Sequence, residues 1–200
     1  METLWTILAI SFALFLLLDP IGNVPLFLTI LKDFSAARRR AIIIREMCIA
    51  LVVIIAFNFV GDGILTLLSV KEYTTMMAGG IILFLISLKM IFPEKTSEAD
   101  LMPRKEPYIV PLAIPLVAGP AVLAAVMIFS KNHSYAITIP AIFIAWAVSA
   151  LILLASTHLK KFMGDRGIIA LERLMGLILT LIAVQMFLGG VSLYVDTHAH

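Results

Sequence analysis

The sequence predicts an all-α membrane protein in which six transmembrane helices form a 3+3 inverted repeat. Three observations predict this fold class: the composition, six uncharged apolar stretches, and two similar proline-bracketed motifs in opposite halves. Of 200 residues, 62% are hydrophobic and 14% are charged, whereas soluble domains carry about 25% charged residues. A soluble domain could not bury this much apolar surface, so we expect the lipid bilayer, and no nucleic acid, as a partner.

Six uncharged stretches, taken with their flanking turns, are long enough to cross a bilayer at about 20 residues per helix. They cover residues 3–18, 47–61, 73–88, 107–130, 132–159 and 174–195. Their sequences do not alternate between apolar and polar residues as membrane β-strands do. We therefore expect one integral membrane domain over residues 1–200. Repeat one covers about 1–92, a cytoplasmic linker covers 93–107, and repeat two covers about 108–195.

Lysine and arginine residues are distributed unevenly between the predicted loops. Apart from three that adjoin the apolar stretches, ten lie in the loops after the first, third and fifth stretches, whereas only Lys71 and Lys131 lie in the opposite loops. The ten are Lys32, Arg38, Arg39, Arg40, Lys95, Arg104, Lys105, Lys160, Lys161 and Arg166. Short loops rich in basic residues remain in the cytoplasm. Both termini are therefore predicted to face away from the cytoplasm.

The two halves share a motif in which prolines enclose a glycine. Residues 20–25 read P-I-G-N-V-P and residues 115–120 read P-L-V-A-G-P, 95 positions later. The third stretches also match, because G-I-I-L at 80–83 corresponds to G-L-I-L at 176–179. Because each half crosses the membrane three times, the second half begins on the opposite side and has an inverted orientation. In inverted repeats of secondary transporters, paired helix interruptions mark the substrate site. The alternative is that both motifs are kinks that help the helices pack.

These motifs predict interrupted helices. A residue before proline avoids the α conformation, so the first half-helix is expected to end at Asp19. Gly22 permits a turn, Asn23 is expected to cap the second half-helix, and Pro25 then lies in its first turn. Residues 20–25 and 115–120 are therefore predicted to be non-helical and close to each other near the middle of the membrane.

The two helix starts are candidate binding sites for the carboxylate of a substrate, because their N–H groups and dipole ends are positive. Helix breaks are predicted at Pro20, Pro25, Pro115 and Pro120. The candidate substrate-binding residues are Asp19, Gly22, Asn23, Val24, Ala118, Gly119 and Ala121.

Asp19 is the charged residue placed deepest by the pattern. A carboxylate in the bilayer costs ~3 kcal/mol, so an intramembrane Asp is functional by default. Its predicted roles are proton carrier, cation ligand or partner of a substrate ammonium, and the alternative is a helix cap. Neither a catalytic group nor a metal site is expected, since an intramembrane enzyme would need several acidic or histidine residues at one depth.

Four segments together resemble the MarC family, which includes small neutral amino acid transporters of the SnatA type, and are most similar to its YhgN-like branch. The segments are D-P-I-G-N-V-P at 19–25, A-G-G-I-I-L-F at 78–84, P-L-A-I-P-L-V-A-G-P at 111–120 and E-R-L-M-G-L-I-L at 172–179. The family pattern usually has Gly and Thr after the second motif, where this chain has Ala121 and Ala124.

The resemblance implies a multi-pass protein of the bacterial inner membrane with six helices, and in that membrane the termini that the basic loops predict outside the cytoplasm would be periplasmic. It also implies transport of glycine- or alanine-sized amino acids driven by an H⁺ or Na⁺ gradient, without a resident cofactor. An exporter of drugs or of another small metabolite, and a non-transporting membrane scaffold, are the alternatives.

Overall fold

A computed structural model describes residues 2–92 and 117–199, apart from the side chains of Asp62 and Asp165. This part of the chain is all-helical. Its helices are α1 (Glu2–Leu18), α2 (Pro20–Ile30), α3 (Ala36–Leu67), α4 (Glu72–Ile91), α5 (Pro120–Asn132), α6 (Tyr135–Leu154) and α7 (Ser156–His198). Helices dominate because lipid offers no hydrogen-bond partner to the backbone.

Within the described residues, five segments are long and apolar enough to cross a membrane, which confirms the all-α membrane class. They are Glu2–Ile30, which joins α1 and α2, then Ala36–Gly61, Glu72–Ile91, Tyr135–Leu154 and Arg166–His198. α5 is also apolar but has 13 residues. The rest of the fourth predicted stretch and the linker at 93–107 lie outside the described residues.

α4 and α7 pack against each other in antiparallel directions, and glycines bring their backbones close. A Cβ added at Gly80 would lie 2.8 Å from the carbonyl oxygen of Ala183, and one added at Gly190 would lie 2.8 Å from the carbonyl oxygen of Tyr73. Small residues at helix contacts in membranes permit such close packing. The two helices therefore form one tightly packed pair.

α3 and α6 form a second antiparallel pair. Near its middle, the indole Nε1 of Trp146 donates a hydrogen bond to the carbonyl oxygen of Met47, at 2.8 Å. Near one end, the rings of Phe59 and Tyr135 lie 4.9 Å apart. Between the pairs, α2 packs on α6 and α7, and α5 packs on α3 and α4.

Buried positions recur between the halves at nearly constant spacing. At an offset of 95, buried residues of α3 correspond to buried residues of α6: Ile43 and Thr138, Glu46 and Ala141, Met47 and Ile142, Ala50 and Ala145, Ile54 and Ser149. At an offset of 96, α4 and α7 correspond in the same way: Gly79 and Met175, Gly80 and Gly176, Leu83 and Leu179, Ser87 and Ala183. Each second and third helix therefore presents an equivalent face to the core.

Candidate functional site

The first helix break consists of a single residue. α1 ends at Leu18 and α2 begins at Pro20, and Asp19 between them has a left-handed backbone with φ 42° and ψ 56°. Aspartate is one of the few residues besides glycine that adopts this conformation, because its short polar side chain can bond locally. Here Oδ1 of Asp19 accepts a hydrogen bond from the N–H of Gly22, at 3.1 Å. Asp19 is therefore the N-cap of α2, and its side chain is buried.

The prediction that residues 20–25 are non-helical is wrong, and so is the prediction that Asn23 caps the restarted helix. α2 includes all six residues, with Pro25 inside the helix. The helix restarts immediately because the φ of Pro20 suits the first helical position and Asp19 already satisfies a first-turn donor. The side chain of Asn23 instead donates through Nδ2 to the carbonyl oxygen of Leu18, at 3.0 Å, across the break.

The carboxylate of Asp19 is enclosed by neighbouring side chains. A Cβ added at Gly22 would overlap both this carboxylate and the terminal methyl of Met90 on α4. Val24, further along α2, is completely buried. Asp19 thus lies in a closely packed part of the interior between α2 and α4.

The second break has a different N-cap. Ala118 and Gly119 precede α5, Pro120 is its first residue, and Gly119 has an extended backbone with φ −77° and ψ 165°. Glycine brings no side chain to the first-turn N–H groups, and the described residues supply no other side-chain cap. The N–H groups of Ala121 and Val122 occupy first-turn positions that intrahelical bonds do not satisfy. Pro115 lies outside the described residues.

Apolar packing connects the two breaks. Leu17, two residues before the first break, packs against the small cluster that contains Ala121 of α5. Leu18 and Ala118, which flank the two breaks, belong to one larger hydrophobic core. The structure therefore places most of the candidate residues around a common interior, although Asn23 and Pro25 do not have the predicted local roles.

Four buried polar side chains at α3 and α6 were missed by the sequence reasoning. They are Glu46 and Asn58 on α3, and Thr138 and Ser149 on α6, each at most 2% exposed. Within the described residues, each has at least one side-chain oxygen or nitrogen without a hydrogen-bond partner. Glu46 is also paired with Arg45, whose Nη2 lies 2.7 Å from its Oε1. Thr138 and Ser149 lie about three helical turns apart on one face of α6, and this spacing is the signal that could have identified that pair.

Comparison with known proteins identifies the family. Residues 4–195 match the model of the MarC family, described as integral membrane proteins. The chain belongs to the MarC family. No solved structure matches this MarC protein.

Several curated proteins are similar over nearly the whole chain. A "UPF0056 membrane protein" of Buchnera aphidicola subsp. Schizaphis graminum is 49% identical, and the match covers 93% of this chain and 96% of that protein. The "UPF0056 inner membrane protein YhgN" of Escherichia coli K12 is 46% identical, with 94% and 97% covered. A "UPF0056 membrane protein" of Chlamydia pneumoniae is 35% identical, with 94% of each chain covered. The resemblance to the YhgN-like branch is thereby confirmed.

Proposed function

We propose that this MarC protein is a secondary transporter of the bacterial inner membrane. It moves small neutral amino acids, such as glycine and alanine, and an H⁺ or Na⁺ gradient drives this transport. The observation that carries the proposal is the pair of helices α2 and α5, which begin at prolines within one apolar interior. Secondary transporters use such interrupted helices to bind substrate groups and coupling ions.

Equivalent packing in the two halves supports a 3+3 inverted repeat. A Cβ at Gly80 would meet the carbonyl oxygen of Ala183, and a Cβ at Gly176, 96 residues later, would meet the carbonyl oxygen of Ser87 at 3.2 Å. Ser87 and Ala183 are themselves 96 positions apart. Each contact is therefore the counterpart of the other, as an axis of twofold symmetry between α4 and α7 requires.

The positions of the helix ends support a sixth crossing. Nζ of Lys131, near the end of α5, lies 2.8 Å from a carboxylate oxygen of Glu72, at the start of α4. The chain therefore leaves α4 at Ile91, at the opposite end of that helix, and returns to the level of Glu72 by the end of α5. With both termini periplasmic, the end of the molecule that holds Lys131 is the outer one.

The caps of the two breaks favour one orientation for an amino acid. The N–H of Gly22 is occupied by Asp19, so the substrate carboxylate binds at the start of α5, where Ala121 and Val122 supply N–H groups and the helix dipole is positive. The substrate ammonium, or a coupled cation, lies near Asp19. A positive charge there would compensate the buried carboxylate of Asp19.

Transport into liposomes tests this proposal. Purified protein is reconstituted, radiolabelled glycine and alanine are supplied outside, and proton and sodium gradients are imposed separately. We expect accumulation above that of empty liposomes with one gradient and not with the other. Failure of both amino acids to accumulate under either gradient, in protein shown to be folded, would contradict the proposed function.

The orientation has a separate test. Reporters fused after Lys105 and after His200 are expected to report opposite sides of the membrane, because the basic loops predict a cytoplasmic linker and periplasmic termini. The same side for both fusions would contradict the proposed topology.

A further inference from the structure

A cavity of about 120 Å³ lies where the start of α3 meets the junction of α6 and α7. Its polar lining consists of Arg39, Arg40, Ser156, Thr157 and His158. No acidic side chain is among the described residues that line it. The cavity is therefore a concave site that combines positive charge with hydroxyl groups.

Arg39 is held in place by two hydrogen bonds, and its Nε donor is unused. Its Nη1 donates to Oγ1 of Thr157 at 3.4 Å, and its Nη2 donates to the carbonyl oxygen of Phe34 at 3.3 Å. Its Nε is buried and has no partner within residues 2–92 and 117–199. A charged group with an unsatisfied donor is unfavourable, so an anion in the cavity would stabilise the guanidinium of Arg39, which lines it.

Two helix starts line the cavity, and the start of α3 adds positive potential, whereas the start of α7 is offset by the end of α6 at Leu154. Ala36 and Ser156, the first residues of α3 and α7, both line it. N-terminal N–H groups and the helix dipole favour anions. Ser156 is buried, whereas Arg40 is exposed and can approach a ligand from the solvent side.

We propose that this cavity binds a phosphate group. The guanidinium groups of Arg39 and Arg40 match the oxygen geometry of phosphate, and the hydroxyl groups and the helix starts supply further donors. The phosphate belongs either to the headgroup of an anionic lipid or to a soluble phosphate. Basic residues between helices at the membrane edge are suited to lipid headgroups, and Lys160 and Lys161 extend the positive surface beside the cavity.

Thermal unfolding of the full chain in detergent distinguishes the two sources. The protein is mixed with phosphatidylglycerol, with phosphatidylcholine, or with inorganic phosphate at an ionic strength matched by chloride. Stabilisation by phosphatidylglycerol, but not by phosphatidylcholine or inorganic phosphate, identifies a lipid headgroup. Stabilisation by inorganic phosphate identifies a soluble ligand, and no stabilisation by either phosphate source overturns the proposal.

Two matched double variants test whether the cavity itself is responsible. R39Q/R40Q and K160Q/K161Q each remove two positive charges from the same end of the molecule, but the two lysines do not line the cavity. We expect R39Q/R40Q to weaken binding of the stabilising ligand about tenfold or more, because it removes charged hydrogen bonds, and K160Q/K161Q to change it by about twofold at most, as expected for screened surface charge.

Equal weakening by both double variants would show diffuse attraction to a basic surface and would overturn the proposed site. Arg40→Gln alone covers the case in which R39Q/R40Q does not fold. Arg40 is exposed. The hydrogen bonds to Thr157 and Phe34 are made by Arg39, so the Arg40→Gln variant keeps them. Unchanged ligand binding by this single variant would also contradict the proposal.

Discussion

α2 and α5 both begin at a proline inside the apolar core, but the residue before each proline differs in charge and in backbone conformation. Asp19 is left-handed, and its carboxylate accepts the N–H of Gly22. Gly119 is extended and brings no side chain to the start of α5. The first break therefore already contains an acidic side chain that caps its helix, whereas the positive end of α5 has no such cap.

This difference occurs between helices whose neighbours pack in similar ways. Many buried positions of α3 correspond to buried positions of α6, and many of α4 to those of α7. In the proposed transporter, unlike caps on similarly packed helices bind a zwitterion in one orientation, because its two ends meet sites of opposite charge. The proposed transport mechanism thus depends on the asymmetry of the caps rather than on the symmetry of the fold.

Asp19→Asn removes the charge of the first break and keeps its structure. Asparagine is as good an N-cap as aspartate and also tolerates the left-handed backbone. We expect gradient-driven uptake to fall about 10- to 100-fold, the value of a lost hydrogen bond to a charged group. Uptake by reconstituted protein with an unchanged unfolding midpoint is the measurement. Uptake equal to wild type would leave Asp19 as a helix cap only.

Gly119→Ser gives the second break a cap of its own. The serine hydroxyl would accept a first-turn N–H of α5 and compete with the substrate carboxylate, so we expect substrate affinity to fall about tenfold. The free energy of unfolding is expected to change by only about 0.3 kcal/mol, because Gly and Ser are similar N-caps. Equilibrium binding of radiolabelled glycine measures the effect.

Gly119→Ala is the matched control, since it adds a carbon at the same place without an acceptor. The backbone of Gly119, with φ −77° and ψ 165°, accepts either residue without strain. If alanine weakened binding as much as serine, lack of space rather than capping would explain the loss. If neither affected binding, the carboxylate site at α5 would be wrong.

How far the sequence determines this arrangement is seen at Asp19 and Glu46. The restriction before proline correctly located the break at Asp19, because that restriction is local. It could not show how soon the helix restarts, which depends on the carboxylate turning back onto Gly22. Glu46 was excluded from the predicted span because it carries a charge, yet it is completely buried beside Arg45. Its burial depends on contacts between α3 and α6 that no local pattern contains.

The packing around the first break is tested by Gly22→Ala. A Cβ at Gly22 would overlap the Asp19 carboxylate and the end of Met90, so we expect stability to fall by ~1–3 kcal/mol, as for overpacked cores. Gly63→Ala is the control, because nothing lies within 4 Å of its added Cβ. That variant is expected to gain ~0.5–1 kcal/mol from helix propensity.

Chemical unfolding in detergent compares both variants with wild type. Repeating Gly22→Ala in a Met90→Ala background separates the two clashes. If Gly22→Ala cost no stability in that background, Met90 alone would limit the space at Gly22. That result would contradict the expectation that the Asp19 carboxylate is the decisive contact.

The smallest expected effect concerns the glycines that pack α4 against α7. An added Cβ at Gly80 would lie 2.8 Å from the carbonyl oxygen of Ala183 and 2.9 Å from the backbone nitrogen of Phe187, whereas at Gly176 the nearest atom, a side-chain carbon of Ile91, lies at 3.0 Å. Backbone cannot yield without separating the helices, and the backbone contact at Gly176, the carbonyl oxygen of Ser87, is longer at 3.2 Å. We therefore expect Gly80→Ala to lower the free energy of unfolding by ~1 kcal/mol more than Gly176→Ala does. A difference of this size lies within the range for overpacked cores. Unfolding free energies measure the difference, and a larger cost at Gly176 would show that equivalent positions in the two halves do not pack as their contacts indicate.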